Sequence, residues 1–207
     1  MRVQLGNVPG GQAELSVEQG WHRIHSPSSR LGFALAGVIG LLIPFVICAW
    51  LSAAEALVVR IKVGGSGVEE PGSGGAVVLA LLLFIPLHEL LHLIWHPRMG
   101  LSPRTVVVVW PTRLRFGVYY EGCMTRRRWL LMRLAPLFFL TLAPMGLLTL
   151  FRFVLPSFAL DIFLEVLFLV NGIGSGGDVV AAIWVLRQVP AGAQVCFQGG
   201  KAYWRLA

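Results

Sequence analysis

Two histidines and a glutamate, His88, Glu89 and His92, stand in the stretch LLLFIPLHELLHLIWHP, residues 81–97. On a helix, residues i and i+4 share a face and lie about 6 Å apart along the axis. Two imidazoles so placed can converge on one zinc ion, each nitrogen about 2.0–2.1 Å away. Glu89 then sits beside the metal, where it can polarise a bound water. HExxH on a helix is the arrangement that zinc metallopeptidases use, with the glutamate as general base. The spacing therefore predicts His88 and His92 as ligands of Zn2+ and Glu89 as the catalytic base. His96 continues the interval. His88 to His96 extends over about 12 Å of helix, too far for one tetrahedral ion, so His96 is expected to be interfacial.

The setting makes this pattern informative. Ionisable groups are costly in hydrocarbon and mark functional sites there. A chance match with snorkelling histidines would suit His92, close to the end of the apolar stretch, better than His88 and Glu89, which lie deeper. A catalytic zinc commonly has a third protein ligand. The last apolar segment offers Asp161, Glu165 and Asp178. Asp178 lies nine residues before Arg187, roughly 13 Å from that end of the helix. His88 and His92 lie roughly 5–10 Å from the corresponding end of theirs. Of the three carboxylates only Asp178 is near the right depth, and it is the expected third ligand. Asn171, seven residues earlier, shares its face on a regular helix and is expected to bind substrate or the oxyanion.

These residues need elements to hold them at one depth. The chain has 207 residues, 56% of them hydrophobic and only 13% charged, against about 25% charged in soluble domains. Mean hydropathy is +0.74. A spanning helix needs about 20 mostly apolar residues. Four segments qualify: 31–51, with Pro44 as a kink; 76–95; 130–150; and 158–186, whose GIGSGG run invites a bend. Val63 to Gly75 reads as a flexible Gly-rich loop. TVVVVW and RLRFGVYY, flanking Pro111 and Thr112, predict a short β-hairpin between helices two and three. The expected fold is a mainly α polytopic membrane protein of about four transmembrane helices plus that hairpin. Residues 1–30 form a polar N-terminal segment and 31–207 one membrane-embedded domain.

Charge sets the expected orientation. Of the 17 lysines and arginines, thirteen fall with the N-terminus, the loop between helices two and three, and the C-terminus. Three fall on the other side, and Arg133 lies inside the third segment. This asymmetry predicts both termini in the cytoplasm and an even number of spans. The net charge of +7 has no basic stripe interleaved with stacking aromatics, which argues against nucleic acid. The first 30 residues lack an apolar core with a small-residue cleavage site, so the first apolar segment is expected to remain as an anchor. Cys48, Cys123 and Cys196 form no CxxC pair and no even set, so neither a disulfide nor a cysteine zinc site is expected.

Taken together, PLHELLH in an apolar helix, a β-prone basic loop, RRRWLLMRLAPLFFLTLAP, NGIGSGGD and the tail VPAGAQVCFQGGKAYW resemble the putative zincin peptidase family of small bacterial membrane proteins. The resemblance runs from about Pro44 to Trp204. That family is similar in design to the site-2 proteases, from which this chain departs in having GIGSGGD where they carry Asn, Pro and Asp-Gly. The resemblance implies zinc on His88, His92 and Asp178, Glu89 as base, residence in the bacterial inner membrane, and membrane-associated proteins or peptides as substrates. The competing expectation is a non-proteolytic membrane protein, either a metal transporter or a regulatory partner. Four helices without an internal repeat make a poor alternating-access scaffold.

Overall fold

The structure, a computed structural model, describes residues 1–6, 20–61, 73–110, 115–151, 158–198 and 201–206. The apolar segments become helices. α1 (Ser29–Ile61) and α2 (Ser73–Trp95) carry Pro44 and Pro86 inside them. α3 (Arg126–Leu137) continues through a π-turn at Phe138–Leu142 into α4 (Ala143–Phe151). α5 (Phe158–Gly174) and α6 (Gly176–Gln188) meet at Ser175 with a bend of 45°. Among the described residues three stretches, Ser29–Ala53, Gly74–Trp95 and Arg126–Thr149, are long and apolar enough to cross a membrane. The bent α5–α6 pair makes a fourth if counted as one span. The break expected in GIGSGG is present.

α1 lies very close to this break. A Cβ on Gly40 would lie 2.6 Å from the carbonyl oxygen of Ile173, and one on Gly176 would strike the Ala36 carbonyl oxygen and lie 2.8 Å from Gly40 N. Only hydrogen fits at either position, and small residues are what let apolar helices approach this closely. α1 packs along α5 and α6, and α2 lies between α5 and α3.

Among the described residues seven strands accompany the helices, and here the structure exceeds the expectation of one hairpin. β3 (Thr105–Trp110) and β4 (Arg115–Tyr120) are the predicted antiparallel pair, with Val107 opposite Val118; the turn at 111–114 lies outside the described residues. β1 (Arg2–Leu5) adds to β3 in parallel, giving the order β1-β3-β4. A second sheet runs β2-β7-β6-β5, all antiparallel, from β2 (His22–Arg23), β5 (Cys123–Thr125), β6 (Ala193–Gln198) and β7 (Lys201–Leu206). β1, β2 and β5 have two to four residues each, too few to show an alternating pattern, so only their long-range partners define them.

Met124, Trp129, Met132, Val185, Val189 and Val195 form a buried cluster between this sheet and α3 and α6. Burying such side chains contributes about 1.5–3 kcal/mol each where water is the alternative. Cys123 and Cys196 are cross-strand partners and are joined by a disulfide. This corrects the expectation of three unpaired thiols: register on the sheet, not spacing in the chain, brings them together.

Immediately after α2 the chain reverses. Arg98, Met99 and Gly100 all have positive φ, at 58°, 52° and 82°, a conformation uncommon outside glycine. Arg128 secures the turn by donating from Nε to Trp95 O at 2.7 Å and from its terminal nitrogen to His96 O at 2.9 Å. These are the orphan carbonyls at the end of α2. The reversal returns the chain as β3 and β4, so that β4 runs beside α2.

Candidate metal centre

His88 and His92 from α2 meet Asp178 from the first turn of α6. His88 Nε2 and His92 Nε2 each lie 3.2 Å from Asp178 Oδ2, and 3.2 Å from each other. All three residues are buried. Donors held at 2.0–2.1 Å by one tetrahedral ion are roughly 3.3–3.4 Å apart, so this triangle has the size that zinc needs.

The tautomers point the same way. His92 Nδ1 is 2.8 Å from the carbonyl oxygen of Met132, which only accepts, so Nδ1 carries the proton. His88 Nδ1 is 2.8 Å from Asn171 Oδ1. The Asn171 amide is oriented by its nitrogen, which donates to Pro136 O and to Thr141 Oγ1, both at 2.8 Å. Oδ1 therefore accepts from His88 Nδ1–H. In the neutral imidazoles both Nε2 lone pairs then face a carboxylate oxygen. Three electron-pair donors aimed at one point suit a cation between them, and a second nitrogen fixed in this way is the usual support of a metal-bound histidine.

The acceptor for His92 follows from local sequence. Pro136 has no N–H, so the carbonyl four residues back, that of Met132, loses its helical partner. That carbonyl is the one His92 finds. α3 also supplies Arg133, whose terminal nitrogen donates to Asp178 Oδ1 at 2.9 Å, leaving Oδ2 for the histidine side. The sequence alone presents Arg133 as no more than a charge inside a span. Its contact with Asp178 depends on α3 packing against α6, which nothing in the local sequence signals.

Glu89, next to His88 on α2, reaches toward β4. Its Oε2 accepts the backbone N–H of Val118 on β4 at 2.9 Å. β4 is an outer strand of its sheet, and Val118 N–H is directed away from β3. Backbone groups alternate along a strand, so Phe116 and Tyr120 present their N–H groups in the same direction. Glu89, both histidines, Asp178, Arg133 and β4 line one cavity of about 550 Å³.

Two expectations change. His96 is not an interfacial residue: it is 1% exposed and lines this cavity. The reversal after α2 turns it inward, with Nδ1 3.5 Å from Thr105 Oγ1. Burial first, then the charge that His92 carries when protonated and those of Arg133 and Arg128, lower its pKa to about 4. Asn171 is fully buried behind His88 and is not among the described residues lining the cavity. Its amide is committed to His88, Pro136 and Thr141 rather than turned toward a substrate. Asp161 and Glu165 lie outside the cavity lining.

The family described as "Putative zincin peptidase" matches residues 81–194, more than half of the chain. The chain belongs to this family. The matched stretch contains every donor of the triangle, Glu89 and β4. Zincin membership implies zinc and points to a metalloprotease, and the histidine–histidine–aspartate set fits that metal by donor type and spacing. No curated protein and no solved structure matches the chain significantly.

Proposed function

We propose that this protein is an intramembrane zinc metallopeptidase that hydrolyses peptide bonds of membrane-associated proteins. The observation that carries the proposal is the 3.2 Å triangle of His88 Nε2, His92 Nε2 and Asp178 Oδ2, opening on the same cavity as Glu89. His88 lies seven residues before the end of α2, roughly 10 Å along an apolar helix, which supports a site below the membrane surface.

His88, His92 and Asp178 would hold the zinc, which when bound polarises a carbonyl and acidifies a water. Glu89 takes the proton of the attacking water on its carboxylate and passes it to the departing amine nitrogen. Asn171 and the Met132 carbonyl keep the imidazoles in the ligating tautomer. Arg133 holds one oxygen of Asp178, so the carboxylate offers the other. The outward N–H groups of β4 receive an unwound segment of substrate as an added strand, since a helical peptide bond is shielded from attack. The excess of basic residues on the side of both termini supports a cytoplasmic location for those termini.

The test is Glu89→Gln in protein purified with its metal. Zinc at one equivalent together with cleavage reduced by about 10²–10⁴-fold is the expected result. Undiminished proteolysis would falsify the role of Glu89, and absence of stoichiometric zinc in the wild type would remove the centre itself.

A further inference from the structure

A second cavity, of about 510 Å³, lies on the far side of Trp129 and Arg133 from the candidate metal centre. Its level relative to the helices is fixed by a pair of hydrogen bonds. His25 N–H donates to Gln188 Oε1, and Gln188 Nε2 donates to His25 O, both at 2.9 Å. These tie the chain just before α1 to the last residue of α6. The cavity therefore sits where the apolar helices end, at the height of lipid headgroups if those helices cross a bilayer. Trp129 and Trp184 flank it, and tryptophan is enriched at that height.

The lining is divided by polarity. Val180, Ala181 and Val185 of α6 make an apolar wall. Arg23 of β2 and Lys201 of β7 approach from the second sheet, and Arg133 from α3. Among the described residues no aspartate or glutamate lines the cavity. Arg23 is exposed and has no acidic partner among the described residues. Arg133 commits one terminal nitrogen to Asp178, while its Nε is buried without a hydrogen-bond partner. A space with cations at one edge and an apolar wall at the other suits an amphiphile with an anionic head, because guanidinium and ammonium groups bind phosphate oxygens by charge-assisted hydrogen bonds.

We propose that this cavity, between the second sheet and the ends of α1 and α6, binds the phosphate-bearing headgroup of an anionic phospholipid through Arg23 and Lys201. A free phosphate ion would engage the cations and leave the apolar wall uncovered; a phospholipid covers both. The proposal depends on the helices spanning a bilayer, not on zinc or on peptide hydrolysis.

The experiment compares wild type with the double variant Arg23→Gln, Lys201→Gln. Both proteins are reconstituted with phosphatidylglycerol and phosphatidylcholine in equal amounts, and retained lipid is counted by native mass spectrometry. The wild type is expected to retain phosphatidylglycerol preferentially. The preference should fall roughly fivefold for each cation removed, at unchanged zinc content and thermal midpoint. The charge-conserving pair Arg23→Lys, Lys201→Arg should restore it even if the neutral double variant folds poorly. Equal retention of the two lipids by the wild type, or an undiminished preference in a folded double variant, overturns the proposal. So does inorganic phosphate binding to lipid-free protein through the same two residues without any lipid preference.

Discussion

At the scale of single residues, the site is organised by what stands behind its ligands. The sequence shows His88 and His92 through their spacing, and Asp178 through its depth. Asn171 is visible as a polar residue in a span, but its task depends on which helix faces it. Replacing Asn171 with Leu strips His88 Nδ1 of its acceptor, and zinc affinity is expected to fall about 10–100-fold. Asn171→Asp keeps an acceptor and should retain most of it. Competition with a chelator measures both, and a loss of turnover with unchanged zinc affinity would instead make Asn171 a substrate contact. His96 supplies a pH dependence. Its pKa near 4 in the folded chain lies below the unfolded value of about 6.5, so the unfolded state binds the extra proton. Stability therefore falls as pH drops from about 6.5 toward 4, by about 2 kcal/mol at pH 5 from this residue. In His96→Gln, unfolding in detergent should lose that part of the difference between pH 7 and pH 5. Glu89 has a comparable dependence on its neighbour. On the proposed function, a peptide strand added to β4 would need the Val118 N–H that now donates to Glu89, so docking of substrate would release the base in the same event.

At the scale of elements, the helices were legible and the second sheet was not. Apolar runs of about 20 residues declare themselves by composition, and GIGSGG shows a break by its glycines. Strands of two to four residues carry no such pattern. β2 exists because Trp204 and Tyr203 lie opposite it, nearly the whole chain away. The disulfide between Cys123 and Cys196 was hidden for the same reason, as was the inward turn of His96. The α1–α6 contact gives a sharp test. Gly176→Leu must push the side chain into the Ala36 carbonyl and Gly40, with at least about 2 kcal/mol lost and a lower thermal midpoint. Gly177, one residue on, has open space where a Cβ would stand, so Gly177→Ala should be neutral or stabilising by up to about 1 kcal/mol. Equal effects at the two positions would mean that α1 does not pack as described.

At the scale of the whole molecule, orientation is the open physical choice. Thirteen basic residues against three argue for the two sheets in the cytoplasm, whereas a disulfide is favoured on the oxidising side. The charge asymmetry acts over the entire chain, and the cytoplasmic placement of both termini is proposed on that ground. A reporter fused after Ala207 should accordingly read cytoplasmic, and one inserted between α4 and α5 should read the opposite side. The reverse pattern would invert the assignment and make the disulfide an expected feature. The strand pairings constrain this further. β2 precedes α1, β5 lies between α2 and α3, and β6 and β7 follow α6, yet all four are hydrogen-bonded into one sheet. Strands cannot pair through a bilayer. A chain that crosses a bilayer must therefore do so an even number of times between β2 and β5, and an even number again between β5 and β6. If the helices cross a bilayer, backbone hydrogen bonds thus act as a parity check on the threading: α1 is then matched by α2, and the α3–α4 span by α5 and α6 taken as a single crossing bent at Ser175.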